Sequence, residues 1–460
     1  MQFHKKMHKY ALNLLIIVYL YDNNAYFSQK MHIFATDWQN NIITMNNDFK
    51  QKLQEREFAV LKDKRRVLLK WATGCGKSKM TIDLINHQCE DALRDHKPVK
   101  VLFVVAERAH IQNWEDEFRK WHLKRDRVST SICCYASLKH YKEMPFDIVV
   151  LDEGHHACAP KAYEHLTEMA QFFNTYINNV YLLSATFAKS KQDMMEDIFG
   201  KFTISQVTLK EAINKDILPD PKVYVIAMEL DNVKRHQEIK IGNDPKAPVI
   251  KWEDRKKYIF KNTPCIIQCT EYQKNQFLTE KINYWNERYR YSHSEFQRIQ
   301  AANTGSQRKR FLGELKTGVV RGLIESFPKG KRFVCFCASV PQANALSTTN
   351  TIAAKKGDKY NQAVIDAFNK KDISSIYAVG MITEGMNLTD IEAGIIVQLD
   401  GKERLFIQKF GRSLRAEDPV SFIFYYKGTQ DENYLRGALE NIDSKYVKHI
   451  TINQLNNIKL

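Results

Sequence analysis

Short apolar runs alternate with longer amphipathic stretches over residues 50–210 of the chain. Each apolar run has the length of a buried strand, and the stretches after the first two runs have the spacing of helices. Buried strands separated by helices are typical of a parallel, doubly wound sheet. The pattern predicts strands at Val67–Lys70, Val101–Val105, Asp147–Leu151 and Val180–Leu183, and helices at Lys77–Leu93 and Ala109–Trp121.

The same alternation returns towards the other end, where it predicts strands at Arg332–Cys337, Ser375–Val379, Gly394–Gln398 and Val420–Tyr426. Between the two halves, residues 234–330 are rich in Lys, Arg, Tyr and Gln and show little strand signal. We therefore predict an α/β protein with two tandem doubly wound parallel-sheet domains and a basic helical insertion between them. The expected bounds are an N-terminal extension at 1–45, a first domain at 46–218, a connecting strand and the insertion at 219–331, a second domain at 332–445, and a tail at 446–460.

The N-terminal extension has a basic start, His4–Lys6, followed by the apolar run Tyr10–Tyr21. This order is that of a secretory signal peptide, and the run is too short to span a bilayer as a helix. Two other interpretations stay open. One is a start codon assigned too early, with the true start at Met31 or Met45, and the other is a helix that packs on the first domain.

The charge balance favours a polyanionic partner. Lys and Arg number 69 against 53 Asp and Glu, which gives a formal net charge of +16. Nucleic acid fits this surplus, because each neutralised phosphate releases counterions, although a basic surface without such a role is the alternative. The nine cysteines include no C-x-x-C pair, so we expect reduced core thiols in a cytosol-like compartment rather than a metal site.

A glycine loop follows the first predicted strand and precedes a helix. Backbone N–H groups in such a loop can surround a phosphate, and the helix N-terminus adds partial positive charge. Lys77 would reach the β- and γ-phosphates of a nucleotide, and the Ser78 hydroxyl would bind Mg²⁺. The general pattern has glycine where this chain has Trp71, and a chance glycine-rich turn is the alternative. The expected nucleotide-binding residues are Thr73, Gly74, Cys75, Gly76, Lys77 and Ser78.

Two carboxylates follow the predicted strand that ends at Leu151. They would lie at the carboxyl edge of the sheet, where open α/β sheets bind ligands. Asp152 would hold Mg²⁺, and Glu153 would orient and deprotonate an attacking water. A solvated acidic turn is the alternative, and the position some 75 residues after Lys77 argues against it. His155, beside the carboxylates, is a candidate for coupling.

Two arginines lie three residues apart in the second half of the chain, within Gln408–Arg415. Arg412 and Arg415 would share one face of a helical turn. Such a face can be a solvated helix surface. Across a cleft between two domains, however, it would supply the positive charge that a γ-phosphate needs in its transition state.

Together, four ordered motifs resemble those of the superfamily 2 helicases. They are Ala72–Ser78, Asp152–His155, Ser184–Thr186 and Gln408–Arg415, and the resemblance covers most of the chain, about 49–434. It implies two RecA-like domains with ATP and Mg²⁺ as cofactors. Finer features resemble the type III restriction-type and Snf2-like branch, namely Asn113–Phe118, Ser131–Leu138, Leu209–Ile213 and Thr383–Leu388.

The resemblance also implies roles for further residues. Gln54 stands where the family places a glutamine that contacts adenine, and Gln408 joins Lys77, Asp152, Glu153, Arg412 and Arg415 in the catalytic set. The coupling residues would be His155, Ser184, Thr186, Gly385 and Asn387. Nucleic acid would contact Arg108, Ser137 and Thr383, with the basic-aromatic stretch Trp285–Tyr291 and the run Arg308–Arg310 as further candidates.

We therefore expect an ATP-dependent DNA helicase or translocase. The alternatives are a duplex translocase or branch-migration remodeller without net unwinding, an RNA helicase, and a nucleic-acid-binding switch without hydrolysis. The expected partners are DNA and accessory replication, recombination or restriction proteins, with no membrane and a monomeric state. The small size and composition resemble a phage protein, which would place the chain in a host cytoplasm.

Overall fold

A computed structural model describes residues 49–91, 98–172, 179–260, 263–380, 388–399, 419–440, 442–455 and 458. The first domain is built on a six-stranded sheet in the order β3-β2-β4-β5-β1-β6, and every pair of neighbours is parallel. The predicted parallel sheet is confirmed. Its strands are β1 Arg66–Trp71, β2 Val99–Val105, β3 Val128–Cys134, β4 Ile148–Leu151, β5 Asn179–Ser184 and β6 Thr203–Val207.

Helices cover both faces of this sheet, as the doubly wound prediction requires. Along β1, Val67 and Leu69 join one apolar core while Leu68 joins another, because successive side chains of a strand point to opposite faces. The helices are α1 at residues 49–61, α2 Lys77–Asp91, α3 Ala109–Lys120, α4 Pro160–Phe172, α5 Lys189–Phe199 and α6 Leu209–Asn214.

The insertion contains a small sheet as well as helices. After β7 Lys222–Met228, three short strands pair in the order β8-β10-β9. The prediction of a mostly helical insertion is therefore incomplete, and the strands that it missed are only three to five residues long. The elements are β8 Gln237–Ile241, β9 Val249–Lys251, α7 Arg255–Phe260, β10 Cys265–Cys269, α8 Glu271–Ser292 and α9 Glu295–Leu315.

A seven-stranded sheet forms the second domain, in the order β12-β13-β11-β14-β15-β7-β16. All its pairings are parallel. The connecting strand β7 belongs to this sheet, and so does β16, which lies in the stretch expected as a tail. The elements are α10 Thr317–Glu325, β11 Phe333–Phe336, α11 Val340–Leu346, β12 Thr351–Ala353, α12 Asp358–Asn369, β13 Ser375–Val379, β14 Ala393–Ile396, β15 Val420–Tyr426, α13 Gln430–Leu439, β16 Val447–Thr451 and α14 Ile452–Leu455.

Two tandem α/β domains with parallel sheets are the architecture that the sequence predicts. In the part of the chain that the structure describes, none of the helices has the length and apolar character needed to cross a membrane. The N-terminal extension at 1–45 lies outside the described residues.

Candidate nucleotide site

The glycine loop joins the carboxyl end of β1 to the first residue of α2. Gly74 and Gly76 both have φ of +93°, a backbone conformation that side chains with a Cβ rarely adopt. A Cβ on Gly76 would lie 2.1 Å from the Nε2 atom of Gln54. The loop therefore needs glycine at position 76 for two reasons, its backbone angle and the close approach of α1.

Trp71 occupies the first position of the loop because its side chain belongs to the core. It is fully buried, and its indole N–H donates to the Ser205 hydroxyl at 2.7 Å. Ser205 in turn donates to the Glu57 carboxylate at 2.7 Å. This chain of hydrogen bonds connects β1 to β6 and α1, so Trp71 fixes the position of the start of the loop.

Two side-chain hydrogen bonds hold the loop closed. The ammonium group of Lys77 donates to the backbone carbonyl of Trp71 at 3.0 Å, across the loop that separates them. Gln54, which is buried, donates to the carbonyl of Cys75 at 3.3 Å. Burial raises the pKa of the Cys75 thiol to about 11, so this thiol is neutral at physiological pH and adds no negative charge to the loop.

The acidic pair stands at the end of β4, whose four residues are all buried. Asp152 is held from two sides: its Oδ2 accepts from the indole N–H of Trp114 at 2.9 Å, and its Oδ1 accepts from the Glu153 backbone N–H at 2.9 Å. The backbone N–H of Asp152 also donates to the Val104 carbonyl of β2. The carboxylate therefore has a fixed orientation before any ligand arrives.

Glu153 has an unusual backbone conformation, with φ of +45°. Left-handed conformations at residues other than glycine store strain and cluster at functional sites. The following Gly154 packs so closely on β5 that a Cβ there would lie 2.5 Å from Leu182. This turn directs the Glu153 carboxylate towards His155, whose Nδ1 lies 3.5 Å from Glu153 Oε2. The two side chains predicted for catalysis and coupling are thus neighbours.

Two aromatic residues that position Asp152 were not identified as functional in the sequence. In the sequence, Trp114 and Tyr135 belong only to the segments Asn113–Phe118 and Ser131–Leu138 that resemble the family. The Tyr135 hydroxyl donates to the backbone carbonyl of Asp152 at 2.9 Å. Burial, together with the nearby Asp152 carboxylate, raises the Tyr135 pKa well above its usual range, so this hydroxyl keeps its proton.

Other predicted residues lie at the same carboxyl edge of the first sheet. Ser184, the last residue of β5, is buried and donates to the Thr186 carbonyl at 2.7 Å. Arg108 is exposed and follows β2, and Ser137 is half-buried in the short 3₁₀ helix Tyr135–His140. The remaining predicted site residues lie outside the described residues; they are Thr383, Gly385, Asn387, Gln408, Arg412 and Arg415.

The residues present fit a nucleotide phosphate with its metal ion. Positive φ at two glycines and a fifteen-residue helix starting at Lys77 provide a phosphate cradle. Within the described ranges no group of three or more His, Cys, Asp or Glu side chains could hold a metal. Ser78 and Asp152 are the residues that would hold Mg²⁺, an ion that usually keeps several water ligands and binds substrate phosphates. All nine cysteines are free thiols.

Family models match both halves of the chain. The model described as "Type III restriction enzyme, res subunit" matches residues 35–134. The model described as "Helicase conserved C-terminal domain" matches residues 315–417. These matches confirm the resemblance stated from the motifs, and domains of this kind are those of ATP-hydrolysing nucleic-acid motors. No curated protein sequence matches the chain significantly.

Solved structures of helicases and restriction enzymes share the fold. Dbp5 from S. cerevisiae, bound to RNA and ADP BeF3, is 12% identical with a TM-score of 0.54, over 88% of this chain and 91% of that one. A fragment of an HsdR subunit of a type I restriction enzyme from Vibrio vulnificus is 14% identical with a TM-score of 0.52, over 88% and 68%. The type ISP restriction-modification enzyme LlaBIII, bound to DNA, is 14% identical with a TM-score of 0.51, over 88% and 31%. At these identities the similarity establishes the fold alone.

Proposed function

We propose that the chain is an ATP-dependent DNA helicase or translocase, and the support comes from its matches to the type III restriction enzyme model and to the helicase C-terminal domain model. In this proposal, ATP hydrolysis drives movement along nucleic acid. The observation that carries it is the arrangement at one edge of the first sheet. There the glycine loop and the acidic pair of Asp152 and Glu153 follow strands of the same parallel sheet, and two hydrogen bonds orient the Asp152 carboxylate.

ATP would bind through the loop and the start of α2. On binding ATP, the Lys77 ammonium group would leave the Trp71 carbonyl and contact the phosphates. Gln54 already donates a hydrogen bond to the loop, close to where a residue that contacts adenine is expected. Bound Mg²⁺ would neutralise charge on the phosphate oxygens. Thr73, Gly74 and Gly76 would contribute backbone N–H groups.

Hydrolysis would depend on Glu153 as the base that orients and deprotonates water. Its strained backbone and the neighbouring His155 restrict where the carboxylate can point. Arg412 and Arg415, in the segment predicted to belong to the second domain, would supply positive charge to the γ-phosphate in its transition state and so couple hydrolysis to domain movement. Ser184, Thr186, Gly385 and Asn387 would belong to the same coupling path.

DNA is the proposed partner. The support comes from the type III restriction match and from the positive net charge. Arg108, Ser137 and Thr383 would contact phosphates without recognising bases. RNA is the second candidate, and the observation that favours it is the fold shared with the RNA-bound Dbp5.

The decisive experiment compares ATP hydrolysis in the presence of single-stranded DNA, duplex DNA, forked DNA and RNA, with Lys77→Ala as the inactive control. We expect stimulation by DNA that falls steeply between about 50 and 200 mM salt, since phosphate contacts release counterions. Stimulation by RNA alone would replace the proposal with an RNA helicase. Hydrolysis on duplex DNA without strand separation would indicate a translocase, and binding without turnover would indicate a switch.

A further inference from the structure

A long helical hairpin extends from the insertion. Its arms are α8, with 22 residues, and α9, with 21 residues. In the described chain, the last buried residue of α8 is Leu278 and the first buried residue of α9 is Ala301. Beyond Leu278, α8 continues for about 20 Å, at 1.5 Å per residue. We call residues 284–298, where the two arms meet, the hairpin tip.

The hairpin tip exposes aromatic side chains. Tyr291 is 90% exposed, Phe296 61% and Tyr284 48%. Elsewhere among the described residues, exposed large aromatic side chains are few: Phe49, Tyr272 and Tyr360. Three exposed aromatic side chains concentrated at one end of a hairpin are unusual for a solvated helical surface. They indicate a contact surface.

The exposed rings are organised together with arginine side chains. Trp285 packs edge-on against Tyr284, with centroids 5.1 Å apart, and against Phe296 at 6.0 Å. Arg288 donates to the Tyr284 hydroxyl at 2.7 Å, and its guanidinium lies over the same ring. Single-stranded nucleic acids bind surfaces on which aromatic rings alternate with guanidinium groups, because bases stack on both.

The base of the hairpin is fixed rigidly to the second domain. Lys316 follows α9 and is completely buried, with its ammonium group 2.6 Å from the Asp431 carboxylate of α13. It also donates to the Gln398 side chain at 2.9 Å and to the Phe424 carbonyl of β15 at 3.1 Å. Gly313 packs so closely on Ala338 that a Cβ there would lie 2.2 Å away. Because these contacts fix the hairpin base, we expect the hairpin tip to move together with the second sheet.

We propose that the hairpin tip binds unpaired bases of DNA at the junction between single and double strands, with Tyr291 and Phe296 stacking on them. This inference rests on the proposed function and adds a substrate-contacting element to it. The charge of the insertion is complementary to DNA, since residues 229–331 contain 21 Lys and Arg against 12 Asp and Glu. At the tip itself three arginines, Arg288, Arg290 and Arg298, outnumber Glu287 and Glu295, and Arg298 pairs with Glu295.

The test compares a Tyr291→Ala, Phe296→Ala double variant with wild type and with Tyr272→Ala. Tyr272 is the matched control, because it is 49% exposed on α8 but lies at the hairpin base. Affinity is measured by fluorescence anisotropy, without nucleotide, for forked DNA, forked RNA and blunt duplex DNA. We expect the double variant to bind forked DNA at least about 5-fold more weakly, since each stacked base contributes about 1–3 kcal/mol, or about 5- to 150-fold in affinity.

Blunt duplex affinity should be unchanged in the double variant, and Tyr272→Ala should match wild type on all substrates. Photocrosslinking of 5-iodouracil at an unpaired position of the fork should label the hairpin tip. Equal fork affinities for the three proteins, or crosslinks that map elsewhere, would overturn the inference. Weaker binding to forked RNA alone would also overturn it.

The outcome is separable from that of the proposed function. Loss of fork binding in the double variant, without any DNA stimulation of hydrolysis in wild type, supports the tip and refutes the motor. Normal DNA stimulation of hydrolysis in wild type, together with unaltered fork binding in the double variant, supports the motor and refutes the role of the tip. Circular dichroism of each variant verifies that the helices are intact.

Discussion

The glycine loop and the hairpin tip present their functional groups in opposite ways. The loop would bind phosphate largely through backbone N–H groups, and Trp71, Gln54 and Cys75, which hold it in place, are buried. The tip acts through side chains that project into solvent from two helices. A backbone site needs particular residues at fixed spacing, whereas a side-chain site needs only suitable chemistry at exposed positions. The first kind is visible in a sequence, and the second becomes visible once exposure is known.

The largest effect should come from the catalytic turn near the loop. We expect Glu153→Gln to reduce ATP hydrolysis by about a hundred- to ten-thousandfold, since a general base contributes that much. ATP binding should be retained, because the loop is unchanged. Steady-state hydrolysis and nucleotide binding by fluorescence measure the two properties. Turnover at the wild-type rate would remove Glu153 from its assigned role.

The anchor of the hairpin should show a large effect on stability rather than on chemistry. Asp431→Ala leaves the buried Lys316 without its carboxylate, so we expect a loss of about 3–5 kcal/mol in the free energy of unfolding. The matched control, Lys316→Met with Asp431→Leu, removes both charges and should lose much less. Urea denaturation measures both. Equal losses of unfolding free energy in the two variants would show that the stability does not depend on pairing the Lys316 charge with a carboxylate.

Two glycine substitutions contrast the loop with the hairpin directly. Gly76→Ala should weaken ATP binding at least about tenfold, because its φ of +93° and the contact with Gln54 both oppose a Cβ. Gly305 lies in the middle of α9 with nothing close to its Cβ position. Gly305→Ala should therefore stabilise the fold by about 0.5–1 kcal/mol. Similar effects of Gly76→Ala and Gly305→Ala on ATP binding and on stability would contradict the difference proposed between the loop and the hairpin.

The smallest effect concerns the orientation of Asp152. Trp114→Phe keeps the ring in the core but removes the indole donor. We expect hydrolysis to fall about fivefold, or about 1 kcal/mol, because water can reach the half-buried carboxylate and replace part of the bond. Raising the Mg²⁺ concentration should recover part of the rate. A rate equal to wild type would show that the loop and turn alone orient Asp152.

Much of the fold could be predicted because its strands are buried and apolar. The predicted strands at Ser375–Val379 and Val420–Tyr426 match β13 and β15. Among the strands that the sequence pattern does not predict, β16 has exposed Lys448 and His449, and β8, β9 and β10 are only three to five residues long. Such strands are defined by their pairing with distant segments, which local composition does not encode.

The candidate site divides in the same manner. Lys77, Asp152 and Glu153 could be predicted as candidates from spacing, because loop and strand ends fix their environment. The bond from Trp114 to Asp152 spans 38 residues of sequence and depends on how α3 packs on the sheet. Likewise the link from Trp71 through Ser205 to Glu57 requires α1, β1 and β6 to be assembled first.

The hairpin also sets a distance. Beyond Leu278 its two arms pack mainly on each other, while Lys316 fixes the base to the second sheet. Seven residues added to each arm would complete about two helical turns and move the tip outward by about 10 Å without changing its orientation. If the tip binds unpaired bases as proposed, the length of the hairpin would set how far from the second sheet those bases are held.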